Sequence, residues 1–567
     1  MTAAIPDMAE SFDVIIVGGG SAGSVLAGRL SEDRHLRVLL LEAGPDDTNP
    51  MIAVPKGAGK IVSDPRFCHF FPTERAARFP GAEPDIWLRG KVLGGSSSIN
   101  GLVYHRGHKG DFERLAELGL TGWGWEEMLP CFRAIESTDL PPASYRGVGG
   151  PLHLRHDVPR TRLTAAMIDA AREMGLPFKE DPNQPDALGI AYAGANITPG
   201  GKRCSAAGAF LPPSVRRRSN LAVLTGHLVQ RVCFDGRRAT GVAVNTPTGA
   251  ERIFRASREV LLCAGAVQSP QLLQLSGIGP AALLRELGVP VLADRPGVGA
   301  NLREHYLAFL QFRLQHRADS ENHALAGWRL YWNTLRYMLA GRGPLAQAPW
   351  HMSAFAAVLP DAGRPDAQLT FAPFSLDMFG GTGEARLETA PGMQLFGYPS
   401  RATSEGRITA RSGDMRDMPR IEPNYLSTEY DRRLSVGLVN YIRRFMRATP
   451  LAALVASETE LTALARSDDE ILDFMRLHGR TGFHASGTCR MGIDETAPLD
   501  PALRVRGAQG LRVIDCSVFP ELISTNTNAS VMAMAWRAAQ LIADDLRAPF
   551  GGREAGSARV DPAMSPT

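Results

Sequence analysis

Residues 12–42 read FDVIIVGGGSAGSVLAGRLSEDRHLRVLLLE, and this stretch decides the fold. A β-branched run (12–17) leads into GGGSAG and then into SVLAGRLSED. There Val25, Leu26 and Leu30 share one helical face, and a second apolar run follows at 37–42. Strand, glycine turn, helix and strand within one short unit predict a βαβ nucleotide-binding start. Gly18, Gly20 and Gly23 spell G-x-G-x-x-G. The first permits the tight turn, the second lets backbone N–H groups approach a pyrophosphate, and the third lets the helix pack on the strand. Glu42 ends the second strand, 24 residues after Gly18, where a carboxylate can hold a ribose hydroxyl pair. One rival reading overlaps it: Gly19–Gly23 also spells G-x-S-x-G, a hydrolase elbow that would make Ser21 a nucleophile and His484 its base. No HGGG-type oxyanion segment accompanies it, and it leaves Glu42 unexplained.

Further α/β passages lie at 253–275 and at 511–519, the second leading to VMAMAWRAAQLIADDL. Between them, about 310–480 has a different texture: amphipathic WRLYWNTLRYML, the loop GRGPLAQAP and strand-like RITARSG. We expect an α/β protein with a Rossmann-like dinucleotide domain of discontinuous segments (10–155, 220–310, 480–548). An inserted α+β substrate domain (156–219, 311–479) and a flexible tail (549–567) complete it.

A second glycine block, RGKVLGGSSSINGLVYHRG, runs from Arg89 to Gly107. Gly94, Gly95, Ser96 and Asn100 are small donors interleaved with apolar Val92, Leu93 and Ile99. A loop of that kind can wrap the second ligand surface that an isoalloxazine requires and a nicotinamide does not.

Composition bounds the rest. The chain has 567 residues, 44% hydrophobic and 21% charged, with 62 basic against 59 acidic side chains, a net charge of +3. That is globular usage with room for several domains and no global case for nucleic acid. The seven cysteines are odd in number, form no C-x-x-C and sit partly in apolar runs, so free thiols fit better than a disulfide framework. No HExxH or paired Cys/His spacing suggests a metal. MTAAIPDMAESFD lacks the features of a signal peptide, and no run approaches 18 apolar residues. A cytoplasmic protein without an integral membrane segment is expected, peripheral membrane association staying open; oligomeric state is unreadable.

Residues 89–107 resemble the first signature of the glucose–methanol–choline (GMC) family of flavoprotein oxidoreductases, and GAVQSPQLLQLSGIG (265–279) resembles its second. GWGWEEMLPCF, GVGANLREH and SEGRITARSGDMRDMPRIEPNYL extend the resemblance over about Phe12–Leu546. It implies FAD as cofactor and oxidation of a primary alcohol to an aldehyde. HASGTCRMG and NTNAS match the family's catalytic pair, implying His484 as general base and Asn526 as its partner beside flavin N5. Asn528 is left as a flavin contact, and the register between the two asparagines stays open. An imidazole titrating near neutrality can take the hydroxyl proton while an amide N–H steadies the developing alkoxide. Asp515 resembles the carboxylate near the ribityl–pyrophosphate, and Val229 the residue whose backbone meets adenine.

Departures shape the substrate expectation. Where some relatives carry a flavin-linking His, this chain has Ile99, so FAD is expected to be non-covalent. Where choline-type relatives carry a Glu after GPLA, this chain has QAPWHM, with His351 at that place and Trp350 beside it. Trp350, His351 and Phe483 are the expected pocket, for an uncharged apolar or aromatic alcohol. The stripe Trp328, Trp332, Tyr337 reads either as pocket or as core. Gly482 lacks the apolar side chain that some oxidases carry ahead of the base, which favours a quinone or dye over oxygen as acceptor. An oxygen-using oxidase and a choline-type dehydrogenase are the alternatives. A flavin lyase, a light-driven relative, an NAD dehydrogenase and the hydrolase are more distant.

Overall fold

The run 12–17 becomes the strand Ser11–Val17, flanked in parallel by Glu251–Leu262 and Val38–Leu41, in a seven-stranded sheet. The computed structural model describes residues 11–74, 79–246, 248–377 and 386–547, so the tail expected at 549–567 lies outside the described residues. Leu221–Leu224 continues the sheet beyond Val38–Leu41, and Leu511–Val513 pairs with 260–262, while Leu228–Asp235 and Arg238–Asn245 complete the other edge as an antiparallel meander. The side chains of Val14–Val17 and Val38–Leu41 are buried on both faces, as a parallel sheet covered by helices requires. The helices Ser21–Leu30 and Asn528–Arg547 pack together over it, with Arg29 stacked on Trp536.

A second sheet of eight strands is antiparallel apart from one short pair. Its core order is 455–458, Tyr306–Leu314, Gly392–Pro399, Ala367–Ala372, Met352–Ala356 and Gly189–Tyr192. Helix Glu429–Arg447 covers one face. A Cβ at Gly397 would stand 2.9 Å from Leu438, so residue 397 points at that helix, and Phe396 and Tyr398, on the opposite face, turn away from it. Two large hydrophobic clusters follow this division, one around each sheet.

The domain bounds read from sequence shift in two places. Helix Ala206–Phe210 packs on Ser21–Leu30, where a Cβ on Gly28 would meet Phe210 O at 2.5 Å, so residues 206–219 go with the nucleotide domain. The second domain's strand begins at Tyr306, inside the stretch assigned to the first. The second boundary lies inside the apolar run YLAFLQF, which continues across residue 310 without a turn signal.

Candidate active site

The three fingerprint glycines are required for different reasons. Gly18 has φ +100°, and a Cβ there would lie 2.5 Å from Cys263 O. On Gly23 it would lie 1.9 Å from Gly18 O. On Gly20 it would meet nothing nearer than Gly95 Cα at 3.9 Å. The protein's own packing therefore demands Gly18 and Gly23, whereas the space at Gly20 is open, as a pyrophosphate approaching the backbone needs. The second block closes against it: Gly94 N–H donates to Gly19 O at 2.7 Å, and a Cβ on Gly95 (φ +55°) would strike Gly20 Cα at 2.7 Å. Residues present at this seam thus fit FAD.

Glu42 is buried, its carboxylate accepting N–H from Gly19 and Gly44, each at 2.8 Å, and burial raises it to about 7 against those donors. It ties the glycine turn to the strand end, leaving one lone pair per oxygen for a ribose. Val229 is buried just beyond His227, whose N–H donates to Glu42 O. Ser96 Oγ accepts from Gly90 N–H. Asn100 Oδ1 accepts from Leu102 N–H and from Arg203, a buried guanidinium that also binds Ser97 O and Ile52 O and so knits the serine block together. Asp515 accepts from Gly265 N–H, Ser269 Oγ and Ser517 N–H, at the start of helix Gly265–Leu275; both of its oxygens are engaged within the protein. Asn528 Oδ1 accepts the Ser21 hydroxyl at 2.7 Å. Ser21 is thus bound to an amide and not to His484, and the hydrolase reading falls.

At the seam of the two sheets His484 meets Asn526, with Asn526 Nδ2 3.0 Å from His484 Nε2. The proton positions follow from the hydrogen-bond chain. His305 Nε2 is 3.0 Å from Ser400 O, and a carbonyl only accepts, so this nitrogen carries the proton. Burial lowers His305 to about 4, so its Nδ1 is a lone pair at neutral pH. His484 Nδ1, 2.9 Å away, must then donate to it. The lone pair of His484 is left on Nε2, facing Asn526. Asn526 Oδ1 accepts from Gln368 Nε2 at 3.0 Å, which turns the amide nitrogen toward His484. Burial, then His305, Arg89 and His105, hold His484 well below the usual imidazole range, so it is a neutral base.

Sequence reasoning missed His305, Glu304, Gln368 and Tyr398. Glu304 Oε1 accepts N–H from His484 (2.7 Å) and His305 (2.9 Å), and its Oε2 accepts from Thr481 Oγ1. It staples the two histidine segments, burial raising it to about 7 with Arg89 opposing. Arg89, also expected at the cofactor, lies 3.7 Å from Glu304 and donates to Phe483 O. Phe483 is 45% exposed with φ +63°, a strained conformation for a bulky residue, next to the base. A Cβ on Gly482 would lie 3.0 Å from both His305 Cβ and His305 O, and 3.1 Å from His484 Nδ1. A side chain there would press on both histidines, so the glycine has a packing reason that is independent of the acceptor.

Two pocket expectations change. His351 is buried, with Nε2 3.3 Å from Glu321, which also pairs with Lys56; burial pushes the Glu321 carboxyl up, but Lys56 and His351 bring it to about 2. His351 serves this charge cluster. Trp350 reaches the site through Phe396 (rings 4.7 Å apart), which shares its sheet face with Tyr398, whose ring is 5.6 Å from His484. Trp328 and Trp332 are neither pocket nor core: both are more than half exposed on a surface helix.

A dinucleotide cradle beside a neutral imidazole and an oriented amide is the site of a flavoprotein oxidoreductase acting on CH–OH groups. The GMC oxidoreductase family models match residues 12–307 and 402–535, and the chain belongs to that family of FAD-dependent oxidoreductases. It is 36% identical over 549 residues to an oxygen-dependent choline dehydrogenase of Pseudomonas entomophila, covering 95% of this chain and 94% of the relative. To the human mitochondrial choline dehydrogenase it is 37% identical, covering 94% and 90%. Among solved structures, pyridoxine 4-oxidase from Mesorbium loti superposes with a TM-score of 0.83 at 31% identity, over 94% of this chain and 99% of the other.

Proposed function

We propose that the chain oxidises an uncharged primary alcohol, carrying an aromatic or heteroaromatic body with hydrogen-bonding substituents, to the aldehyde. The carrying observation is the lone pair of His484 Nε2, which accepts the Asn526 Nδ2–H at 3.0 Å until an alcohol oxygen comes between the two. The substrate hydroxyl gives its proton to His484 Nε2, and Asn526 donates to the oxygen as it gains negative charge. FAD, when bound, accepts the hydride from the carbinol carbon. Ile99 at the linkage position supports non-covalent FAD: acid precipitation then releases all the yellow colour, and colour in the pellet would refute it.

The body of the substrate is read from the face of the second sheet that carries Tyr398. Phe309, Phe396 and Trp350 supply aromatic surface there. Tyr398 OH, Gln368 Oε1, Ser353 Oγ and both ring nitrogens of His105, which packs on Phe355, are buried without a partner. Leaving a buried polar atom unpaired costs roughly 1–3 kcal/mol, so a ligand offering several donors and acceptors is favoured over a purely apolar one. Choline is disfavoured: the carboxylate beside His351 is already matched by Lys56, and a desolvated ammonium without its own counter-ion is costly to bury. An alcohol panel assayed in parallel for peroxide and dye reduction tests this and identifies the acceptor. Hydroxymethyl-arenes bearing hydroxyl or ring-nitrogen groups should give the highest kcat/KM, and preference for choline would overturn the reading. His484→Ala should retain FAD and lose roughly 10²–10⁴-fold in turnover.

A further inference from the structure

Helix Gly327–Ala340 is amphipathic the wrong way round. Trp328, Tyr331, Trp332, Leu335, Met338 and Leu339 follow i, i+3, i+4, i+7, i+10, i+11 spacing and so form one stripe. Each is between 46% and 81% exposed, and no residue of the helix is buried. The polar side faces the protein instead: Asn333 donates to Ala324 O at 2.8 Å, and Tyr337 OH to Ala53 O at 3.4 Å. A helix that stabilises a globular domain turns its stripe to the core, and monomers rarely leave an apolar patch of this extent in water.

The charges around the stripe select what covers it. From residue 322 to 360 the sequence has no Asp, Glu or Lys; Arg329, Arg336 and Arg342 are its only charged side chains besides histidines. None of the three forms an ion pair among the described residues. Arg329 and Arg336, seven residues apart, lie on the same flank of the stripe. A second copy of the chain laid against this face would bring arginines to arginines with no acid to pair them. An anionic lipid headgroup supplies the missing charge, two Trp and a Tyr are the side chains favoured at the bilayer interface, and Leu and Met enter the acyl boundary. Among the described residues no helix is long and apolar enough to cross a membrane.

We propose that helix Gly327–Ala340 docks the enzyme on the surface of an anionic lipid bilayer, lying in the interface plane with its aromatic stripe inserted. The test is co-sedimentation of the full-length holoenzyme with vesicles of phosphatidylcholine alone and with about one-third phosphatidylglycerol, in low and in about 1 M salt. Binding to the anionic vesicles, reduced by salt and accompanied by a blue shift of tryptophan emission, is expected. Trp328→Ser/Trp332→Ser/Met338→Ser should abolish it. Arg329→Gln/Arg336→Gln/Arg342→Gln should weaken it on the order of 10²-fold, at about a kilocalorie per arginine, with neutral vesicles little affected. Bound FAD and dye-linked turnover should be unchanged in both variants, and the arginine variant with the salt series stands if the serine variant fails to fold. Failure of the wild type to bind anionic vesicles overturns the proposal. So does a dimer that the serine variant dissociates while neither protein binds lipid, since the face would then join two copies.

Discussion

His305→Ala tests the proton arrangement most directly. The substitution removes the acceptor for His484 Nδ1–H at 2.9 Å and leaves that donor buried. An unsatisfied buried donor costs about 1–3 kcal/mol, and the loss falls on the tautomer that presents Nε2 to the substrate. At about 1.4 kcal/mol per tenfold, kcat/KM should drop roughly 5- to 150-fold with FAD still bound. The pH profile moves too. Burial and His305 are the first two causes of the depressed proton affinity of His484, so opening a space and removing that neighbour raises it. The acidic limb of kcat/KM, where activity disappears as pH falls through the base, should therefore shift to higher pH. His305→Asn, which can still offer a side-chain carbonyl to Nδ1–H, should recover part of the loss in kcat/KM. The assay is anaerobic flavin reduction by stopped flow against pH. A profile superimposable on wild type, or His305→Ala within about threefold of it, would refute the relay.

Gly23→Ala should prevent stable folding, because its Cβ would meet Gly18 O at 1.9 Å, whereas Gly20→Ala should fold as apoprotein with an unchanged melting temperature and fail to retain FAD. Flavin absorbance after gel filtration separates the two. Ser21→Ala should leave catalysis within a few-fold of wild type, since its hydroxyl serves Asn528 and not the base; loss of all turnover with FAD bound would revive a nucleophilic role. Wild-type kcat/KM should be flat from neutrality down to well below pH 6.5, because a base with lowered proton affinity stays unprotonated there. Gly482→Ala should separate the histidines and lower turnover by at least tenfold, whichever acceptor is supplied.

What the sequence disclosed was local. The glycine turn, the serine block and HASGTCRMG each carry their chemistry within a few residues, so their spacing speaks directly. His305, Gln368 and Tyr398 were hidden because strand pairing assembles them: Gln368 and Tyr398 are register partners from different strands, and His305 closes GVGANLREH just before a third. One signal was available, a charged Arg-Glu-His triplet immediately ahead of the apolar run YLAFLQF, where a buried polar cluster has to be built. Helical periodicity identified the stripe of Trp328 and Trp332 and could not say which way it points, since the same pattern serves a core and a bilayer. The bounds at 206–219 were missed because the helix AAGAF is too small and uniform to announce its partner.

The site's polarity is set by main chain rather than by a carboxylate. Ser400 O fixes His305, His305 fixes His484, and among the described residues no acid side chain touches either ring. Glu304 holds the backbone N–H groups of both histidines and leaves their rings alone. A protonated His484 would therefore lack a direct counter-ion in the resting protein, so nothing offsets the burial that, with its cationic neighbours, depresses its proton affinity. Proton uptake becomes favourable only when negative charge develops on the substrate oxygen that Asn526 also addresses. In the proposed reaction His484 is thus idle toward bulk solvent and active toward a bound alcohol, which ties removal of the proton to the presence of a molecule able to release a hydride.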